Sequence, residues 1–266
     1  MTPAPMLIGL DIDGTIMTAD EFISSAVREA ITELRLRGHH VVLATGRPLV
    51  AVLPVLKDLG IDSGWAVCSN GSVTARLDAS GPGAYELDDV VEFPAGPAVD
   101  ALDAHLPHAV IGLENIGVGY SISADFGSPR LHGSHTITPV AALRAMRTPR
   151  VVVARAQHPP AQFRADVAAV DLADSYYSIA DEHWMDLAPA GITKAYGLDR
   201  LRARLGIPTS ATVAVGDADN DIDMLQWAGH GVAMGHAAAD VIAAADDVTW
   251  PITDDGLAPV LQSLLS

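Results

Sequence analysis

Short apolar runs alternate with stretches of helical spacing in both the first and the last third of the chain, and each run stops at polar residues. Met6–Leu10 is an apolar run ending at Asp11, which predicts a buried strand with acids at its C-terminal tip. Phe22, Ala26, Ala30 and Leu34 recur at helical spacing, so Phe22–Arg37 is predicted to be a helix stopping at Gly38. Val41–Ala44 reads as a second strand, and Pro48 suits the first turn of a helix that runs to Leu59 and closes at Gly60. Trp65–Cys68 is a third strand, ending at Ser69-Asn70-Gly71. The pattern returns as a helix over Thr193–Leu205, a strand over Thr212–Val215, a helix over Asn220–Trp227, a strand over Gly231–Met234 and a last helix from Gly256.

Strands alternating with helices imply parallel pairing, hence an α/β fold with a doubly wound, Rossmann-like parallel sheet. The middle of the chain differs. It holds Pro/Gly-rich turns (Pro94-Ala-Gly-Pro97), alternating segments over Val118–Ser123 and Tyr176–Ala180, and candidate helices over Val99–His105, Pro139–Met146 and Pro160–Val170. The expected organisation is a core formed by residues 1–86 and 187–266, with an inserted α/β domain over 87–186.

Composition narrows the function. With 266 residues, 49% of them apolar, a sizeable core can form, yet no apolar run reaches the roughly 20 residues of a membrane span. Met1-Thr-Pro-Ala-Pro5 lacks the basic and apolar stretches of a signal peptide, and the single Cys68 suits a reducing compartment, so the expected location is cytoplasmic. A formal charge of −17 argues against nucleic acid or an anionic membrane as partner. Any phosphate handled by this chain would need local positive charge from a metal, a lysine, arginines or helix N-termini.

Five islands at predicted strand tips and one helix start carry candidate chemistry: Asp11-Ile-Asp13-Gly-Thr15, Thr45-Gly46-Arg47, Asn70-Gly71, Lys194 and Gly216-Asp217-Ala-Asp219-Asn220-Asp221. In doubly wound sheets ligands bind outside the carboxyl ends of the strands, where four of the islands fall. Of Asp11 and Asp13, one carboxylate can act as nucleophile while its neighbour delivers and removes protons. Asp-rich turns at strand ends are common, so this pair alone decides nothing. Asp217 and Asp221 stand four apart at a strand–helix junction, where acids also serve as ordinary caps. Taken together, three or four converging carboxylates would repel by roughly 4 kcal/mol per pair at 4 Å and near-surface dielectric, which calls for a cation among them. Oxygen-only donors suit Mg²⁺ better than zinc, and the histidines show no metal spacing. Thr45 offers a hydroxyl, Gly46 an open backbone N–H and Lys194 a compact charge for phosphate oxygens.

With these residues in order, the chain resembles a haloacid dehalogenase-superfamily phosphatase of the Cof-like group with a large α/β cap. Asp11-Ile-Asp13-Gly-Thr15, Ala44-Thr45-Gly46-Arg47, Lys194 and Gly216–Asp221 match its four motifs, and Val232-Ala-Met234-Gly235 resembles a further Cof-like position. The resemblance implies Asp11 as nucleophile and Asp13 as acid and base. Thr45, Gly46, Lys194, Asn220 and Asn70 would be phosphate ligands, with Asn220 steadying Lys194 or the phosphate. Mg²⁺ would be held by the Asp11 carboxylate, the Asp13 backbone carbonyl and Asp217, with Asp221 close by or acting through water. Arg47 would contact substrate or tie core to cap. The implied activity is hydrolysis of a small phosphomonoester, a sugar or polyol phosphate, by a monomer or small homo-oligomer. A phosphomutase and a non-catalytic phosphate-ligand protein are the alternatives. Cap candidates for contacting the leaving group are Arg130, His132, His135, Arg155, His158, Glu182 and His183. His236 is a departure, since Asn usually follows the Met-Gly pair, and Ala218 is another.

Overall fold

The computed structural model describes residues 4–78, 85–127, 131–155, 159–170, 172, 175–181 and 183–265. The chain divides into two compact units, one of Met1–Gly46, Pro54–Asp89 and Thr193–Ser266, the other of Arg47–Leu53 and Val90–Ile192.

The first unit is built on an eight-stranded sheet. Its order is Asp247–Val248, His230–Ala233, Thr212–Gly216, Leu7–Leu10, His40–Ala44, Ser63–Cys68, Val73–Asp78 and Tyr85–Val90. The first six strands run parallel, and Val73–Asp78 turns back antiparallel to Ser63–Cys68. Leu7–Leu10 and Thr212–Gly216 are buried along their whole length, as expected of parallel strands covered on both faces. Register brings their tips level: Leu10 lies beside Val215 on one side and Leu43 on the other, and Gly216 beside Ala233. The Asp11 N–H donates to Val215 O, Thr45 N–H to Val67 O and Met234 N–H to Gly216 O, extending that alignment past the strand ends.

The helix expected from Phe22 begins at Ser25 instead and runs to Leu36. Ser24 takes the cap position and its Oγ accepts from Val27 N–H at 3.1 Å, a contact worth about 1 kcal/mol. Phe22 is 60% exposed and its backbone is tied to Thr18, so it lies outside the apolar face formed by Val27, Ala30, Ile31 and Leu34. The Asn220–Trp227 helix likewise splits, into a 3₁₀ turn over Asp219–Asp221 and an α-helix over Ile222–Trp227.

His39 is buried, and its Nδ1 accepts from Met6 N–H at 3.1 Å. Burial, aided by Arg37 and His40, lowers its pKa. The native state therefore resists protonating this ring. The stabilisation is complete above the unfolded-state value near 6.5 and is lost as pH falls through the lower native value. Unfolding titrations at pH 7 and pH 5 should show a smaller loss in His39→Asn, whose amide oxygen can stand in for Nδ1 without titrating.

The second unit has a six-stranded sheet in the order Ser175–Asp181, Trp184–Pro189, Val151–Ala154, Val110–Asn115, Gly119–Ile122 and Ser134–Ile137. All neighbours are antiparallel except the last pair. One face presents Ile111, Leu113, Val151, Val153, Met185 and Leu187 to a core shared with helices Gly96–His105 and Pro160–Ala168. The other carries Tyr120, Val152 and Trp184 together with a buried charged group. There Arg150 stands 3.3 Å from Glu114 and 3.2 Å from Asp186 and donates to the Tyr120 hydroxyl, while Trp184 Nε1 donates to Asp186 at 2.7 Å. The helix expected over Pro139–Met146 shortens to Val140–Leu143.

Candidate active site

The strand tips of the first unit bring the islands together. Asp11 emerges from the central Leu7–Leu10 strand and is 4% exposed. The chain then turns: Thr15, Ile16 and Met17 N–H groups all donate to Ile12 O, and Gly14 N–H to Met17 O. Gly14 has φ of +89°, and a Cβ there would collide with the Asp217 carboxylate, so both backbone and space demand glycine. Asp13 lies one residue before it, with its side chain exposed.

Lys194 is the first residue of helix Lys194–Leu205 and is wholly buried. Its Nζ donates to Asp11 Oδ1 and to Asp221 Oδ1, each at 2.6 Å. The other Asp221 oxygen, Oδ2, accepts from Asp217 N–H and Ala218 N–H at 2.9 Å each. Asp221 therefore folds back over its own turn and spends both oxygens on protein donors. Asp217 is half-buried, and its Oδ1 accepts the Thr15 hydroxyl at 2.9 Å.

Carboxylate oxygens of Asp11, Asp217 and Asp221 lie within 4.8 Å of one another, the one such acidic cluster among the described residues. Burial pushes Asp11 well above the usual carboxylate range; Asp221 and Asp217 push the same way, and Lys194 pulls against them. Asp217 is raised too, by burial and by Asp221. Burial alone would favour neutral Lys194, but Asp11 and Asp221 outweigh it and hold the ammonium charged. One buried ammonium thus faces three clustered carboxylates, a surplus of negative charge that a hard divalent cation would offset. The donor set, all oxygen, fits such an ion. Asp11 and Asp217 are the side chains placed to hold it, whereas Asp221 is already committed to Lys194 and the backbone.

The remaining islands meet around Gly46. Thr45 is buried at the tip of His40–Ala44 and accepts Asn70 N–H on its carbonyl at 3.0 Å. Ser69 and Asn70 both adopt left-handed backbone, with φ of +52° and +53°. This strained pair is held by that bond and by Asn220 Nδ2, which donates to Asn70 Oδ1 at 2.9 Å. Gly71 follows at φ +96°, where a Cβ would strike the Thr193 carbonyl just before Lys194. The Asn70 and Asn220 amides both lie over Gly46. Asn220 is thus tied to Asn70, where the resemblance pointed to Lys194 or the phosphate. Arg47 begins the segment assigned to the second unit.

Two residues of this region had no assigned role in the sequence reading. Thr15 holds Asp217, and its place in the first island was the available signal. His236 has its Nε2 3.5 Å from Asp217 Oδ2. It stands two residues past the Gly231–Met234 run, so the strand-tip rule could have found it. Of the proposed leaving-group contacts, Arg130, His158 and Glu182 lie outside the described residues. His135 gives its Nε2 to Leu131 O, and buried Arg155 pairs with Asp166.

The sequence profile of the haloacid dehalogenase-like hydrolases matches residues 8–82 and 152–261, most of the chain and all of the motif positions. The chain belongs to the haloacid dehalogenase-like hydrolases. Its relatives extend the match to full length. The 5-amino-6-(5-phospho-D-ribitylamino)uracil phosphatase YitU of Bacillus subtilis is 28% identical, covering 100% of both chains. Pyridoxal phosphate phosphatase YbhA of Escherichia coli is 29% identical over 97% of this chain and 98% of its own. A haloacid dehalogenase-like hydrolase from Bacteroides thetaiotaomicron shares the fold with a TM-score of 0.81, at 23% identity and coverage of 98% and 100%. The Cof-like phosphatase resemblance and the α/β fold with an inserted cap domain therefore hold, and this hydrolase is an enzyme of the phosphatase type. No helix among the described residues is long and apolar enough to cross a membrane.

Proposed function

We propose that this hydrolase is a Mg²⁺-dependent phosphatase of small phosphomonoesters, sugar or polyol phosphates, working through an aspartyl-phosphate at Asp11. The observation that carries the reading is the Lys194 bridge between Asp11 and Asp221 beside Asp217. It fixes one carboxylate where charge compensation and a phosphoryl group can meet. An ammonium has three donors; two are used within the protein, which leaves the third for a phosphoryl oxygen. Thr45 hydroxyl, Gly46 N–H and the Asn70 amide, whose oxygen is already taken by Asn220, supply further donors.

In the first step an Asp11 oxygen bonds to phosphorus as the ester P–O bond breaks, and Asp13 gives its proton to the departing alkoxide. In the second, water attacks phosphorus, Asp13 takes the water proton, and the P–O bond to Asp11 breaks to release inorganic phosphate. Mg²⁺, held by Asp11 and Asp217 carboxylates and the Asp13 backbone carbonyl, would neutralise charge on the transferring group. Asp13 is exposed where Asp11 is buried, on the side from which the alcohol leaves and water arrives in this reading. The inserted domain, 87–186 by sequence, together with Arg47, is assigned the choice of leaving group. YitU's named substrate carries a phosphorylated ribityl chain, which supports the polyol class.

A panel of sugar, polyol and cofactor phosphates assayed with Mg²⁺ should release inorganic phosphate from some members. EDTA should remove at least about 99% of that rate, and added Mg²⁺ should restore it. A folded protein inert towards the whole panel, or unaffected by EDTA, would overturn the reading. Phosphate retained on the sugar at a new position would identify a mutase instead.

A further inference from the structure

Asp217 has a neighbour at each carboxylate oxygen. Oδ1 accepts the Thr15 hydroxyl at 2.9 Å, while Oδ2 lies against Gly14 with His236 Nε2 3.5 Å away. The ring is itself oriented by a second contact: Ile252 N–H donates to Nδ1 at 3.3 Å. A neutral ring that accepts at Nδ1 carries its hydrogen on Nε2, the atom facing Asp217. The loop bearing His236 is tied down on both sides, because Met234 N–H donates to Gly216 O and Gly235 N–H to Trp250 O. The imidazole thus reaches the carboxylate from a separate, anchored strand tip.

We propose that His236 is a positioning residue that sets the orientation of Asp217 for divalent-metal binding, acting through its Nε2 hydrogen. The inference rests on the metal reading above and adds a residue to it. A carboxylate ligand that can rotate freely presents its oxygen only part of the time. Partners that fix such ligands typically change metal affinity 10- to 100-fold when removed, and the same range applies here as an estimate of about 10- to 100-fold. At 3.5 Å the contact is longer than a full hydrogen bond, so its role is to bias the carboxylate rather than to lock it.

Two substitutions separate this role from simple loop anchoring. His236→Gln can place an amide N–H where Nε2 lies; His236→Asn can keep an acceptor near Nδ1 for Ile252 but offers no donor at the Nε2 site. Mn²⁺ binding to the metal-free protein, measured by calorimetry without substrate, is the readout, with melting temperature as the check on folding. The expected result is wild-type binding to Mn²⁺, Kd raised about 10- to 100-fold in His236→Ala and His236→Asn, and a rise of less than about threefold in His236→Gln. Equal Kd in wild type and His236→Ala would overturn the proposal, as would retention by Asn but not by Gln, which would make the Ile252 contact the relevant one. Absence of Mn²⁺ binding in the wild type would overturn the metal reading first, and this inference with it.

Discussion

Asp11→Asn should lose turnover by at least about 10⁴-fold while remaining folded, because an amide oxygen is a poor nucleophile where a carboxylate must attack. The substitution keeps shape and volume at a position 4% exposed, so packing around the strand tip survives. Charge also favours tolerance. Burial already disfavours the ionised form of Asp11, and Asp221 remains to pair Lys194. Melting temperature is therefore expected to stay within a few degrees of wild type, and phosphate release from the best panel substrate to fall to background. A variant within tenfold of the wild-type rate would show that Asp11 is not the attacking group.

Lys194→Met has the opposite signature, with stability and rate lost together. Met matches the length of the lysine stem but removes the ammonium that lies 2.6 Å from two buried carboxylates. Taking one partner from a buried ionic group costs about 3–5 kcal/mol, because the charges left behind are uncompensated. Here Asp11, which burial and Asp221 already push towards its neutral form, can take a proton once the ammonium is gone, so the lower part of that range is expected. The urea midpoint should drop with little change in m-value, since the surface exposed on unfolding is nearly the same. The rate should also fall, by about 10²- to 10³-fold, as for loss of one donor to the transferring group. A variant with wild-type stability would show that the bridge carries little of the net balance. A variant destabilised but fully active would remove Lys194 from the phosphate site.

Much of this was legible in the sequence, and the reason is the parallel sheet. Buried strand ends read as apolar runs, and their chemistry sits one or two residues on, so Asp11, Thr45, Asn70 and Asp217 could be placed without knowing the pairing. What periodicity could not supply was which side chain meets which. Thr15 sits 202 positions from Asp217, and Asn70 sits 150 from Asn220. Only register brings those pairs together. The second unit was harder to read for a physical reason as well. Val110–Asn115 and Trp184–Pro189 are buried on both faces although they contain Glu114 and Asp186, whose charges are met by Arg150. Acids inside a strand blur the apolar run that would otherwise announce it. Helix starts were misplaced where a cap intervened, as Ser24 did for the helix expected from Phe22.

The first strand of the chain is also an interior strand of its sheet. Leu7–Leu10 pairs with His40–Ala44, made soon after it, and with Thr212–Gly216, made some two hundred residues later. During synthesis, one flank of that strand must wait until some two hundred further residues have been made. Such long-range pairing slows folding and leaves an unpaired apolar edge open to wrong partners meanwhile. The same delay has a protective side. Asp11 meets Lys194 and Asp217 only when the sheet closes, so a partly made chain has no assembled acidic cluster.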